Sequence, residues 1–267
     1  MNVTTLIAVP SDGAYFEGHF PGRPILPGVA EIALALEALV RETRGNVALR
    51  GIAYARLRQI VVPGDLLELT ARSGEGGHLR IDLKRGGILV ANGEFLLGAP
   101  EMADDAALIG LEEAVPLTGL PSLDELLPHR PPMRFIESIL AETADSLSCV
   151  ASIPFACPLA SGGSVPAVAG LEAAAQAAAV WEAVQRSRIG DVGAPRVGYL
   201  VALRDVVFFA DRIPADRSLR VTVTLEAAAL PLSHYRAMLF LDGRPLVRGM
   251  IATFLKEDSA HDDPAVR

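Results

Sequence analysis

Two ionisable residues stand in contexts suited to acid–base chemistry. His19 lies in Gly18-His19-Phe20-Pro21-Gly22-Arg23-Pro24-Ile25-Leu26-Pro27-Gly28-Val29, a Gly/Pro-defined loop that runs into a helical pattern. A near-neutral imidazole held there can take a proton at physiological pH. Glu172 is flanked by Leu171, Ala173, Ala174 and Ala175 on a segment that reads as a buried helix. An unpaired buried carboxylate costs on the order of several kcal/mol, so its presence suggests a task. Desolvation among alanines predicts a raised Glu172 pKa and a carboxyl protonated long enough to donate. Gln176 lies one turn further on the same face, where it can orient that carboxyl. The helix starting after Pro27 offers free backbone N–H groups and a positive dipole end for a developing oxyanion, with Gly28 as the candidate donor.

The elements that must position these groups recur in two halves. Leu57-Arg58-Gln59-Ile60-Val61-Val62 resembles Leu203-Arg204-Asp205-Val206-Val207-Phe208, His78-Leu79-Arg80 matches His234-Tyr235-Arg236, and at the same offset Gly87 meets Gly243 and Gly93 meets Gly249. Such agreement points to an internal repeat. Each half reads as an extended lead-in, a Gly/Pro-rich loop, one long helix and then strands. The first helix is expected from Pro27 to a stop at Gly45, the second from about Pro166 to Arg188. Strands are expected over 52–60, 66–72, 79–84 and 88–97, and again over 197–209, 219–226, 233–241 and 245–254. Residues 1–102 and 118–257 form the two expected units, with 103–117 an acidic, alanine-rich linker and 258–267 a disordered tail.

Composition limits the alternatives. The chain has 267 residues, 51% hydrophobic and 21% charged, enough for one large domain or two small cores. A net charge of -8 without a basic cluster argues against nucleic acid. The apolar stretch from Val165 to Val180 contains Glu172 and Gln176 and is too polar to span a bilayer. The opening residues lack the basic start and apolar run of a secretion signal, which implies a cytoplasmic location. Cys149 and Cys157 read as reduced core residues.

The loop around His19 resembles the active-site loop of the hotdog 3-hydroxyacyl-acyl carrier protein dehydratases, and Gly51 through Asp65 extends the likeness over nearly all of the first half. Leu126-Leu127-Pro128-His129-Arg130-Pro131-Pro132-Met133 resembles an element normally found at the start of such an enzyme. Together the halves are similar to the paired dehydratase subunits of aryl polyene biosynthesis, fused into one chain. The resemblance implies an α+β double hotdog: two long central helices, each wrapped by an antiparallel sheet, paired as an intramolecular pseudo-dimer. It also implies a site whose histidine and acid come from different units. Pro166 aligns with Pro27, placing Glu172 opposite Ala33 and Pro158 opposite His19. The first half lacks its acid and the second its histidine. One composite site per chain is therefore expected, with Pro158 and Ala33 facing each other in an inert second one. Glu31 points to the opposite helix face from Ala33, and Glu37 corresponds to Gln176, so neither replaces the missing acid.

The implied reaction is dehydration of a 3-hydroxyacyl thioester, with no cofactor and no metal, in an aryl polyene, related polyketide-like or fatty acid pathway. Phe20, Pro24, Leu26 and Gln176 are expected to line the acyl tunnel. Arg56 and Arg58 are expected to attract the acidic acyl carrier protein, the expected partner. His129 is expected to fix its loop by hydrogen bonds, and His78 and His234 to be surface strand residues. The pseudo-dimers remain free to associate further. A thioesterase would need a group placed to activate water, and an acyl-binding scaffold would leave the thioester intact.

Overall fold

The computed structural model describes residues 2–45, 47–102, 117–191 and 195–255. In the first unit, β1 (Asn2–Ala8) precedes the His19 loop and α1 (Gly28–Thr43), followed by β2 (Leu49–Leu57), β3 (Leu66–Ser73), β4 (His78–Arg85) and β5 (Ile88–Leu97). The second unit opens with the short helix α2 (Leu123–Leu126), then β6 (Ile136–Glu142), β7 (Ser146–Ala151) and β8 (Ser164–Pro166). There follow α3 (Gly170–Arg188), β9 (Gly198–Phe208), β10 (Arg212–Pro214), β11 (Leu219–Ala229), β12 (Leu232–Leu241) and β13 (Arg244–Leu255). The alternation of Leu67, Leu69 and Ala71 on β3, and of Leu79, Ile81 and Leu83 on β4, buries one sheet face while the intervening residues turn outward.

Eleven strands form a single antiparallel sheet in the order β1-β3-β4-β5-β2-β9-β13-β12-β11-β7-β6, while β8 and β10 pair separately. The order reads as two similar halves running outward from the β2–β9 junction, where Ile52 pairs with Val206, Tyr54 with Arg204 and Arg56 with Ala202. This is the expected double hotdog, with the two units joined edge to edge. Repeated glycines do repeated work. Gly87 and Gly243 both take positive φ in hairpin turns. A Cβ at Gly93 would come within 2.7 Å of the Tyr54 carbonyl oxygen on β2, and one at Gly249 within 2.9 Å of the Val206 backbone on β9. Equivalent glycines thus let equivalent strands close up.

Pro27 and Pro166 cap their helices with nearly the same backbone angles, φ -56°, ψ 137° and φ -55°, ψ 142°. Three details depart from expectation. α1 ends at Thr43 with Arg44, not Gly45, in the left-handed conformation. In the second unit a 3-10 turn over Ala167–Ala169 precedes the α-helix. β2 stops at Leu57 because the chain beyond it leaves the ladder: Arg58 and Gln59 both donate to the Val90 carbonyl, and Val61 accepts from the Leu26 N–H. Arg58 and Gln59, expected in that strand, thus hold to β5, and Val61 just past it anchors the His19 loop. Nearly all of the expected linker and the whole of the expected tail lie outside the described residues. Cys149 and Cys157 are buried free thiols. Among the described residues no helix is long and apolar enough to cross a membrane.

Candidate active site

The His19 loop is held on both flanks. Leu26 N–H donates to Val61, Phe20 and Arg23 exchange backbone hydrogen bonds, and Ile25 N–H returns to the His19 carbonyl. The other flank is supplied by the second unit, where Arg130 N–H donates to the Gly18 carbonyl at 3.0 Å. A Cβ at Gly18 would fall 1.9 Å from the Arg130 carbonyl oxygen, so only glycine permits this approach. Arg130 in turn braces its own segment by donating to the Leu127, His129 and Asp124 carbonyls. The two sequence elements singled out on opposite sides of the linker are thereby pressed together, backbone against backbone.

His19 Nδ1 lies 3.1 Å from the Ile25 carbonyl oxygen. A carbonyl only accepts, so Nδ1 carries the hydrogen and Nε2 presents its lone pair to the interior. Nε2 is 4.0 Å from Glu172 Oε1. The imidazole and carboxyl assigned to different halves therefore share one buried cluster, both less than a tenth exposed. Gln176 Nε2 donates to Glu172 Oε1 at 3.1 Å and to the Met133 carbonyl, while its Oε1 accepts from Phe135 N–H. The carboxyl is oriented by a side chain itself pinned at two backbone points.

His129 completes the cluster and was missed as a site residue. Its Nε2 lies 3.4 Å from Glu172 Oε1, and its ring packs edge-on to Phe20 and tilted to His19. Nothing in the spacing of Leu126 to Met133 places that ring beside residue 172; the Gln176 bonds to Met133 and Phe135 hold the segment against α3, and the Arg130–Gly18 contact holds it against the His19 loop. The ligand atoms of His19, His129 and Glu172 lie within 4.8 Å of one another, close enough to share a cation.

The electrostatics reverse one expectation. Burial alone drives the Glu172 carboxyl upward, as its alanine neighbours suggest, but the hydrogen bond from His129, the nearby His19 and the Gln176 amide together outweigh it. Glu172 is held below the ordinary carboxylate range and is ionised, not protonated. For His19, burial dominates and depresses the pKa against the pull of Glu172, keeping the imidazole a neutral base. Glu31 behaves as Glu172 was expected to. It is buried, its Oε2 has no hydrogen-bond partner, and desolvation raises its pKa well above normal despite Arg85.

A cavity of about 370 Å³ opens at the cluster, lined among others by His19, Gly28, Leu57, His129, Glu172 and Leu200. Leu26, expected to line the acyl tunnel, lines this cavity. Phe20 and Pro24 do not: Phe20 stacks behind His19 at 4.3 Å, and Pro24 faces solvent. Gln176 is fully buried behind Glu172, its amide consumed by backbone partners, so it supports the site without lining the tunnel. Ile25, Glu31, Ala175 and Ala179 take those places on the wall. Gly28 sits at the wall, and a Cβ there would strike Leu57 Cδ1 at 2.3 Å. Arg58 reaches the cavity, joined by Arg186 and Arg196, whereas Arg56 lies outside it with its guanidinium over Tyr54.

A double hotdog with a histidine and a carboxylate converging from different halves defines a dehydratase-type scaffold. The chain matches the ApeI dehydratase family over residues 1–93 and the ApeP dehydratase family over residues 121–262, and it belongs to these ApeI- and ApeP-like dehydratases as a fusion of the two subunits. It is 40% identical over 90 residues to the 3-hydroxyacyl-[acyl-carrier-protein] dehydratase FabZ of Roseiflexus sp. (strain RS-1), covering 31% of this chain and 61% of that relative. It is 36% identical over 116 residues to the FabZ of Anaeromyxobacter sp. (strain K), covering 35% and 69%. Over nearly the whole chain its fold is similar to a monomeric dehydratase domain from a trans AT polyketide synthase split module, with TM-score 0.72, 13% identity and coverage of 96% and 100%. The dehydratase domain of PpsC from Mycobacterium tuberculosis gives TM-score 0.68, 18% identity and coverage of 96% and 93%.

Proposed function

We propose that the chain removes water from 3-hydroxyacyl groups carried on an acyl carrier protein, in an aryl polyene or related polyketide-like or fatty acid pathway, at one composite site. The observation that carries this reading is the 4.0 Å approach of His19 Nε2 to Glu172 across the two units. The neutral Nε2 takes a proton from C2 of the thioester while the Gly28 N–H, at the start of α1, faces the thioester oxygen as negative charge develops there. The imidazolium so formed is stabilised by the ionised Glu172. As the C3–O bond breaks, the pair returns that proton to the departing hydroxyl, which leaves as water, and His19 ends neutral. No net proton is gained or lost, so an ionised Glu172 is compatible with the chemistry although it was expected to start protonated.

The basic residues at the cavity, Arg58, Arg186 and Arg196, suit an acidic carrier with a phosphopantetheine arm. Incubation with 3-hydroxyacyl carrier protein, followed by mass spectrometry, tests the reading. Loss of one water that His19→Ala and Glu172→Ala each slow at least about a hundredfold supports it. Release of free acid would indicate a thioesterase instead, and an unchanged thioester a binding scaffold.

A further inference from the structure

The second half of the pseudo-dimer retains a cavity where its chemistry has gone. This cavity measures about 560 Å³, against about 370 Å³ at His19, and is lined by Ala33, Leu36, Val40, Ala167, Val168 and Phe208 among others. The matching caps at Pro27 and Pro166 make Ala33 the counterpart of Glu172, Leu36 of Ala175, Val40 of Ala179 and Ala167 of Gly28. All four residues of the first set line the second cavity, and all four of the second set line the first. The two cavities are thus the same feature of the fold, seen from opposite sides of the pseudo-twofold.

Three reactive parts are missing. Ala33 stands where the acid would be. The position of the histidine holds Pro158, which does not reach the cavity and so does not face Ala33 as expected. The N–H of Ala167 is consumed by the Asp211 carbonyl at 2.9 Å, leaving no donor equivalent to Gly28. What remains is a mainly apolar wall that also carries Glu37, Arg41, Asp211 and Arg212. Where α3 has Ala175 and Ala179, α1 has Leu36 and Val40, yet the space has not closed, and Val40 stays 40% exposed at it. Unfilled apolar volume and exposed apolar side chains both weigh against stability. Arg41 also lines the cavity and forms no ion pair among the described residues, whereas Arg212 is tied to Ser161 and Ser164.

We propose that this second cavity is a non-catalytic binding site for a linear acyl chain. The inference rests on the reading that the His19 cavity takes such a chain, because the shared helix positions are what carry the ligand class across the pseudo-twofold. The chain can come as a free carboxylate or as a carrier-borne thioester, and its hydrocarbon part is recognised in the same way in both.

Calorimetric titration of the full chain with S-decanoyl-4′-phosphopantetheine tests this, since decanoyl has no 3-hydroxyl and does not turn over. Two binding events per chain are expected. Ala179→Phe, which fills the His19 cavity, leaves one. Val40→Glu, at an exposed position that tolerates a charge, removes the other without slowing dehydration, and Ala33→Phe does the same from inside. A single event that Ala179→Phe abolishes and Val40→Glu leaves intact overturns the inference while leaving the proposed function standing. Absence of binding at both cavities overturns both. Repeating the titration of Ala179→Phe with decanoate identifies the source: tighter thioester binding assigns the carrier, and tighter acid binding a free fatty acid.

Discussion

Glu172 and Ala33 occupy the same turn of equivalent helices, but their surroundings differ. Glu172 is met by Gln176, His129 and His19, three polar groups converging on one carboxyl. Ala33 faces a cavity walled by Leu36, Val40 and Phe208, with Glu37 taking the position of Gln176 and standing exposed. The helices, their proline caps and the glycines that let strands close up are kept on both sides, because each of these holds the core. The His19 and Glu172 positions have diverged, and so have the cavity walls, where Leu36 and Val40 stand for Ala175 and Ala179. Fusion explains how that is tolerated: a chain that always carries both halves needs just one complete set, and each half can lose the part that its neighbour supplies.

The sharpest way to break the comparison is to move the chemistry across. Glu172→Gln keeps the shape and the Gln176 contact but removes the charge that stabilises the His19 imidazolium, and turnover is expected to fall at least about a hundredfold. Adding Ala33→Glu in that background should restore nothing, since that side has no histidine at its cavity and its helix-start N–H is already bonded to Asp211. Recovery of even a tenth of the activity, measured in single-turnover assays with 3-hydroxyacyl carrier protein, would mean that the second cavity is a dormant active site.

A smaller effect is expected at His129, which contacts Glu172 from outside the reacting pair. His129→Asn should lower kcat roughly tenfold with little change in KM, because the carboxylate loses a partner while the cavity keeps its volume. An equal rise in KM would place the ring against substrate instead.

The pairing of His19 with Glu172 was legible from the resemblance to the dehydratases, with the aligned prolines locating the acid, while the helices and the eight expected strands were legible because loop punctuation and period-2 burial are local signals. What was not legible came from contacts between distant segments. His129 enters the site because Gly18 allows the Arg130 backbone to press against the His19 loop and Gln176 binds the Met133 and Phe135 backbone beside Glu172. The Glu172 shift has the opposite sign to that read from its alanine neighbours: Gln176 and His19 were expected beside the carboxyl, but the His129 contact was not, and the three together outweigh desolvation. The cavity wall was misjudged for the same reason: Phe20 and Pro24 sit in the His19 loop beside the histidine in sequence, while Ala175, Ala179 and Leu200 reach the cavity from elsewhere.

The direction of the His19 shift gives a test that separates the two readings of the acid. A depressed imidazole pKa means the base is lost only as pH falls through that lower value, so the acid limb of kcat/KM should lie below the ordinary histidine value of about 6.5. If Glu172 were instead the protonated partner, His19 would lose the charge that counters burial, and Glu172→Gln would leave the limb in place. With Glu172 ionised, its replacement should move the limb still lower.

The smallest effect is expected at Glu31, on the helix that lacks the catalytic acid. Its buried carboxyl, facing Arg85 and Asp65 at longer range, has a pKa raised by desolvation. The sign then follows: as pH rises above the unfolded value of about 4.3, the unfolded chain gives up a proton that the folded one retains, and stability falls until the folded pKa is passed. Glu31→Gln removes this loss. It should raise Tm at neutral pH by a few degrees, about 2–4 °C for each kcal/mol recovered, with no gain below about pH 4. A gain that persists undiminished at acid pH would show that packing, not ionisation, sets the cost of a carboxyl on this wall, and that the two helices differ there in shape as well as in charge.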